Sequence, residues 1–169
     1  MTKWNGYIRT FPKPVKWFTG IFLVILSFGF SSGIKFVDFT THITPQGIEE
    51  SYLGNEDNEE AEIMKYEKTQ QEMLTMLHTH VMSLSLLFFI TGGLVFLTKA
   101  NLKLKRILAI EPLLSIISTF GGIYLMWTGI TWMKYVILIS GILMTLCFTG
   151  GVLLVLWNLI QKPISNSSP

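Results

Sequence analysis

An all-α fold, an integral-membrane antiparallel four-helix bundle, is predicted by three observations: composition, the lengths of four apolar runs, and the segregation of charge. Half of the 169 residues are hydrophobic and only 14% are charged, against about 25% in an average soluble domain. A hydrocarbon core of about 30 Å takes about 20 apolar helical residues to cross, and runs of that size fall near 17–37, 73–97, 107–127 and 135–159. The chain therefore reads as one membrane domain over 1–169. A 38–72 loop joins the first two spans, and a short 98–106 loop joins the second and third.

Charge supplies the orientation. Ten of the eleven acidic residues lie between Asp38 and Glu72, and the exception is Glu111. Lys3, Arg9, Lys13 and Lys16 precede the first span, while Lys99, Lys103, Lys105 and Arg106 sit between the second and third. By the positive-inside rule both termini and the middle loop are cytoplasmic, so the acidic loop faces out. Trp4, Tyr7, Trp17 and Trp157 fall at the inner boundary, and Trp127, Trp132 and Tyr135 at the outer one, where amphipathic rings anchor. The first span is too long, and Phe30-Ser31-Ser32-Gly33 too unlike an A-x-A site, for a cleaved leader; it reads as a retained helix.

Helices gain nothing by hiding leucine from lipid, so small and polar residues at helical spacing mark the inward faces. The stripes are Gly20, Val24, Ser27 and Ser31 on the first span, and His78, Met82, Ser85 and Gly92 on the second. On the third they are Glu111, Ser115, Ser118 and Gly122, and on the fourth Ser140, Met144, Cys147 and Gly151. Short connections after spans two and three make neighbours antiparallel. In the outer loop, Pro45, Gly47 and Gly54 predict irregular backbone from Thr40 to Asn58. From Glu59 onward the helix formers of EEAEIMKYEKTQQEML predict one helix continuous with span two. The acidic run from Glu56 to Glu62 lacks the spacing of a calcium loop and reads as a solvated face.

Ionisable residues inside spans are costly and face the bundle interior or water. His78 and His80 are two residues apart, which on a helix is about 200° of rotation, so they cannot clamp one metal. His78 shares its stripe with Ser85 and Gly92 and is placed inward; His80 turns toward a neighbouring helix or the headgroups. One reading makes His78 an axial ligand of a b-type haem, paired with His42 of the loop or with Met126. A second puts Glu111 on a proton path, with Pro112 opening the helix beside it. The third is structural: the histidines bond to neighbouring helices, and Glu111-Pro112 forms the first turn of the third span. No metal is specified by these spacings. Nothing marks an enzyme site, because there is no phosphate loop and no nucleophile-base pair. The basic clusters are explained by orientation and anionic lipid, so no nucleic acid partner is implied.

The segments GIEESYLGNE and MKYEKTQQEMLTMLHTH resemble an uncharacterised family of small four-span bacterial inner-membrane proteins. In that family a G-I-x-x-x-Y-x-G outer loop precedes M-x-[FY]-x-K and an H-x-H at the start of span two. The corresponding residues are Gly47, Ile48, Tyr52 and Gly54, then Met64, Tyr66 and Lys68, then His78 and His80. The resemblance implies a bacterial cytoplasmic membrane and an outward-facing functional end, and supplies no activity. The reading that joins these lines is a non-enzymatic binding or accessory protein in the lipid bilayer. Its site, for a cofactor or for a membrane or periplasmic protein, lies at the outer end near His78, His80 and His42. A b-haem electron-transfer subunit and a proton-coupled translocator using Glu111 are the alternatives.

Overall fold

The computed structural model describes residues 7–56, 58, 61 and 63–161. Five α-helices follow a single 3-10 turn at Ile8–Thr10: α1 Lys13–Thr41, α2 Pro45–Leu53, α3 Gln70–Phe96, α4 Leu102–Trp127 and α5 Met133–Ile160. All but α2 are long and apolar enough to cross a bilayer. At about 1.5 Å per residue, each of the four exceeds a hydrocarbon core of about 30 Å by a turn or more at the ends. The four predicted spans lie inside these helices, except that the second runs one residue past the end of α3. Trp4 and Lys3 lie outside the described residues.

Each start has a local cause. Pro14 sits in the first turn of α1, where its missing N–H is no loss. Thr69 and Glu72 form a capping box, Thr69 N donating to Glu72 Oε2 (2.9 Å) and Glu72 N to Thr69 Oγ1 (3.3 Å). The Asn101 side chain accepts from Lys103 N at 2.9 Å and begins α4. Gly129, with φ +108°, then turns the chain toward α5.

The outer loop departs from expectation twice. First, Pro45–Leu53 is helical: the Thr44 hydroxyl accepts from Gly47 N (3.0 Å), Pro45 occupies the first turn, and Gly54 at φ +83° ends it. The same Pro and Gly that read as breakers are here a start and a stop. Second, the run into α3 is not one helix. Residues 63–69 are extended because other partners take their backbone. Lys65 N donates to Asn55 Oδ1 (2.6 Å), Asn55 N to Lys65 O (3.0 Å) and Lys68 N to Tyr52 O (3.0 Å). Glu59, Glu60 and Glu62 of the expected helix lie outside the described residues.

The core is α3, α4 and α5, with α1 against α2 and α5 at its edge. Of the most apolar stretch of α1 only 6% is buried, compared with 44% for α4. The α5 stripe is the one expected: Ser140, Met144, Cys147 and Gly151 are all buried. The other faces differ. Helix α1 turns Thr19, Leu23, Leu26 and Phe30 inward, while Val24 is exposed. Helix α3 buries Met73, Phe88, Thr91, Gly92 and Val95, and Met82 is exposed. On α4, Ser115 and Gly122 are buried and Ser118 is not. The exposed stripe hydroxyl Ser118 is bonded within its own helix, to Leu114 O (3.4 Å), as is the half-buried Ser27, to Leu23 O (2.7 Å). A serine so bonded is tolerated by lipid and does not report the protein side.

Close approach replaces the hydrophobic effect at the centre. A Cβ on Gly92 would stand 3.2 Å from Ala109 Cβ and 3.3 Å from its carbonyl, whereas one on the adjacent Gly93 meets nothing within 4 Å. Phe30 carries α1 into the same core, with ring centroids 4.2 Å from Phe148 and 6.2 Å from Phe88. Gly92→Val should lower stability by about 1–3 kcal/mol in a reversible detergent-unfolding assay, and Gly93→Val should leave it within about 0.5 kcal/mol.

Candidate functional site

The acidic end is closed by a built cap rather than by a loose loop. Helix α2 lies across α1, α4 and α5. It can do so because Gly47 has no side chain; a Cβ there would overlap the Thr41 carbonyl. Glu49 of α2 pairs with Lys134 of α5, both about four-fifths buried. Ser51 Oγ and Lys65 Nζ both donate to the Thr40 carbonyl at 2.9 Å. Trp127 Nε1 donates to Lys68 O at 2.9 Å, which ties the connector to the end of α4. The cap therefore moves with the bundle.

Two surfaces stand on this cap. A groove of about 430 Å³ runs between α2 and the chain after it, lined by Gln46, Glu49, Glu50, Leu53, Asn55 and Glu56 among others. Close by in sequence, Ile63 and Tyr66 are 68% and 69% exposed, and Met64 is half exposed. These are large apolar groups held out on an ordered connector, beyond the first turn of α3.

The histidines do not converge. His42 caps α1 in a left-handed conformation (φ +50°) and is exposed. His78 stands in the exposed row Leu74, Met82, Leu86 and Phe89 of α3, not on its packed face. His80 turns to α4, its ring 5.5 Å from that of Phe120 and its Nδ1 2.9 Å from Met76 O. Met126 is wholly buried, and no hydrogen bond or ring contact among the described residues links it or His42 to His78. Among those residues no group of three or more His, Cys, Asp or Glu is arranged to hold a metal ion.

Glu111 lies deeper than its sequence position suggested. The cap of α4 is Asn101, so Glu111 is the tenth residue of the helix and not part of its first turn. Its Oε1 accepts from Ser115 Oγ (2.5 Å), and the Cys147 thiol of α5 lies beside the carboxyl.

Asn158 was not singled out by the sequence pattern, although a lone amide within Leu156-Trp157-Asn158-Leu159 is the kind of polar group that links membrane helices. It is 1% exposed and joins three parts of the basic end. Its Oδ1 accepts from Arg9 Nε (2.8 Å) and Lys99 N (3.2 Å), and its Nδ2 donates to Leu154 O (2.9 Å). Next to this knot Ile8 is fully buried, with its N–H on Leu97 O at 2.9 Å. Asn158→Leu should release the segment before α1, at a cost of about 2 kcal/mol for the orphaned Arg9 and Lys99 donors. The check is proteolysis after Arg9, which should quicken in the variant and not in Trp157→Leu.

The cap also carries a titratable reporter. The Tyr52 ring packs against the bundle end, and burial raises its phenol above the ordinary value of 10. The folded cap favours the neutral phenol, so this contribution is complete below pH 10 and declines as pH rises above it, where the unfolded chain ionises first. Cap opening, followed by Trp127 fluorescence, should grow with alkali above pH 10, and Tyr52→Phe should flatten that part of the profile.

No curated protein and no solved structure matches the chain. A family model described as a transmembrane helical domain matches residues 42–166. The match begins at His42, where α1 ends, and takes in α2 to α5. Since it spans about three quarters of the sequence, the chain belongs to this family of transmembrane helical domains.

Proposed function

We propose that this protein is a non-enzymatic accessory protein of a bacterial cytoplasmic membrane, with its basic end in the cytoplasm and its acidic cap facing out to receive a partner protein. The observation that carries this reading is the exposure of Ile63, Met64 and Tyr66 on a connector fixed to the bundle. Apolar side chains rimmed by polar groups and held outside the apolar spans are the anchors of an interface. The neighbouring groove presents Glu50 and Glu56, its third carboxylate, Glu49, being paired with Lys134. Its charge suits a partner with a basic segment flanked by apolar residues, whose association is steered by that charge and weakened by salt. The histidines have no part in this surface, because His78 faces outward along α3 and His80 faces α4.

A photo-crosslinking amino acid at Tyr66 or Glu50 in whole cells tests the proposal. Both positions should give the same protein adduct, and Met64→Asp should reduce it at least about tenfold, the effect of one interface anchor worth about 1.4 kcal/mol or more. The same probe at Leu86, on the lipid-facing row of α3, is the control. Absence of a protein adduct from both cap positions, with the chain in the membrane, would overturn the reading.

A further inference from the structure

One carboxyl is placed where neither packing nor the cap uses it. Glu111 lies about 14 Å along α4 from Leu102, at about 1.5 Å per residue, well inside the apolar stretch. Ser115, 3% exposed, donates to Oε1, while Oε2 is inaccessible and has no hydrogen-bond partner. A buried carboxylate oxygen left bare is costly anywhere, and more so inside a membrane. A bound proton on that oxygen removes the cost.

The surroundings suit a proton and little else. From α5 the facing titratable group is the Cys147 thiol. From α3, Gly92 sits on Ala109 of this part of α4 and does not titrate. Among the described residues no group of three or more His, Cys, Asp or Glu is arranged here to hold a metal ion. Pro112, inside the helix, has no N–H to give the Leu108 carbonyl, and that oxygen faces α5 at Gly151, 3.8 Å from where a Cβ would stand. This carbonyl, three residues before Glu111 in the same helix, is left without its usual i+4 donor. Toward the acidic end the polar column continues through Thr119 and Ser140, which share a buried 2.7 Å hydrogen bond. It closes where Ile137 packs on Gly122.

We propose that Glu111, with Ser115 and Cys147 around it, is an intramembrane proton-binding site. An O–H bond forms at Oε2 with a proton drawn from water, Ser115 keeps its bond to Oε1, and release returns the proton and leaves a carboxylate between α4 and α5. The closed upper end makes this an acid that is loaded and unloaded at one place, not a continuous wire.

The test is infrared difference spectroscopy of the full chain in lipid nanodiscs, titrated from acid to alkaline pH. The wild type should show a carboxylic-acid C=O band that disappears as pH rises. Glu111→Gln should lose that band, and Glu111→Asp should keep one. Ser115→Ala, which takes a donor from the charged form, should raise the proton affinity by about tenfold, the worth of one hydrogen bond to a charged group. A band that survives in Glu111→Gln overturns the proposal, as does a wild type with no titrating acid band. Should the Gln variant fail to assemble, Ser115→Ala decides, because an affinity equal to that of the wild type is equally fatal.

Discussion

Lipid tails are as apolar as leucine, so α3, α4 and α5 are not held together by hiding leucine. What they gain is contact that only small residues permit. Gly92 brings α3 onto Ala109, Gly122 admits Ile137, and Gly151 admits Val95. Everything else about the bundle follows from those approaches. They fix α4 as the central helix, decide which rows of α3 face lipid, and set Glu111 against α5. Helix α1, with no such contact of its own, is left at the edge. Its own glycines, Gly20, Gly29 and Gly33, have nothing within 4 Å of a Cβ position.

The two ends are secured by polar chemistry that the middle cannot use. At the acidic end an ion pair, a tryptophan N–H and two donors on the Thr40 carbonyl hold α2 and its connector down. At the basic end one buried amide serves three backbone and side-chain partners. Each of these groups lies near the level where water becomes available, so partial solvation softens the cost of an imperfect bond. Glu111 has no such relief. The single hydrogen bond from Ser115 leaves the other carboxyl oxygen unpaired, at a depth where water does not make up the difference.

The sequence was legible where a physical rule had one solution. Four spans of sufficient apolar length admit one class of fold, and the α5 stripe was correctly read because its small and polar residues coincide with its packed face. It misled where a residue type has two solutions. Serine and threonine mark helix contacts unless they bond to their own backbone, as Ser118 does, and then they can face lipid. Pro45 and Gly54 mark a break unless they bound a helix, as they do around α2. His78 followed the error in the α3 stripe. For Asn158 and the Asn55 clamp the limit is another: the sequence displays the amide but not its partners, which lie far away along the chain or in backbone atoms.

Helix α1 is fastened at its ends and slack between them. At one end the segment before it is knotted to Asn158, and Lys16 Nζ reaches Gln161 O at 3.4 Å; at the other Thr41 bears directly on Gly47 of the cap. Between these points Leu23 and Phe30 are the main props, and bulky side chains such as Phe18, Phe28 and Phe36 stand in the surrounding lipid. Mechanically this is a strut under side load. Lateral pressure or thickness change in the bilayer acts on its bare flank, and that load passes to the rest of the bundle through the amide knot, the Leu23 and Phe30 props and the cap.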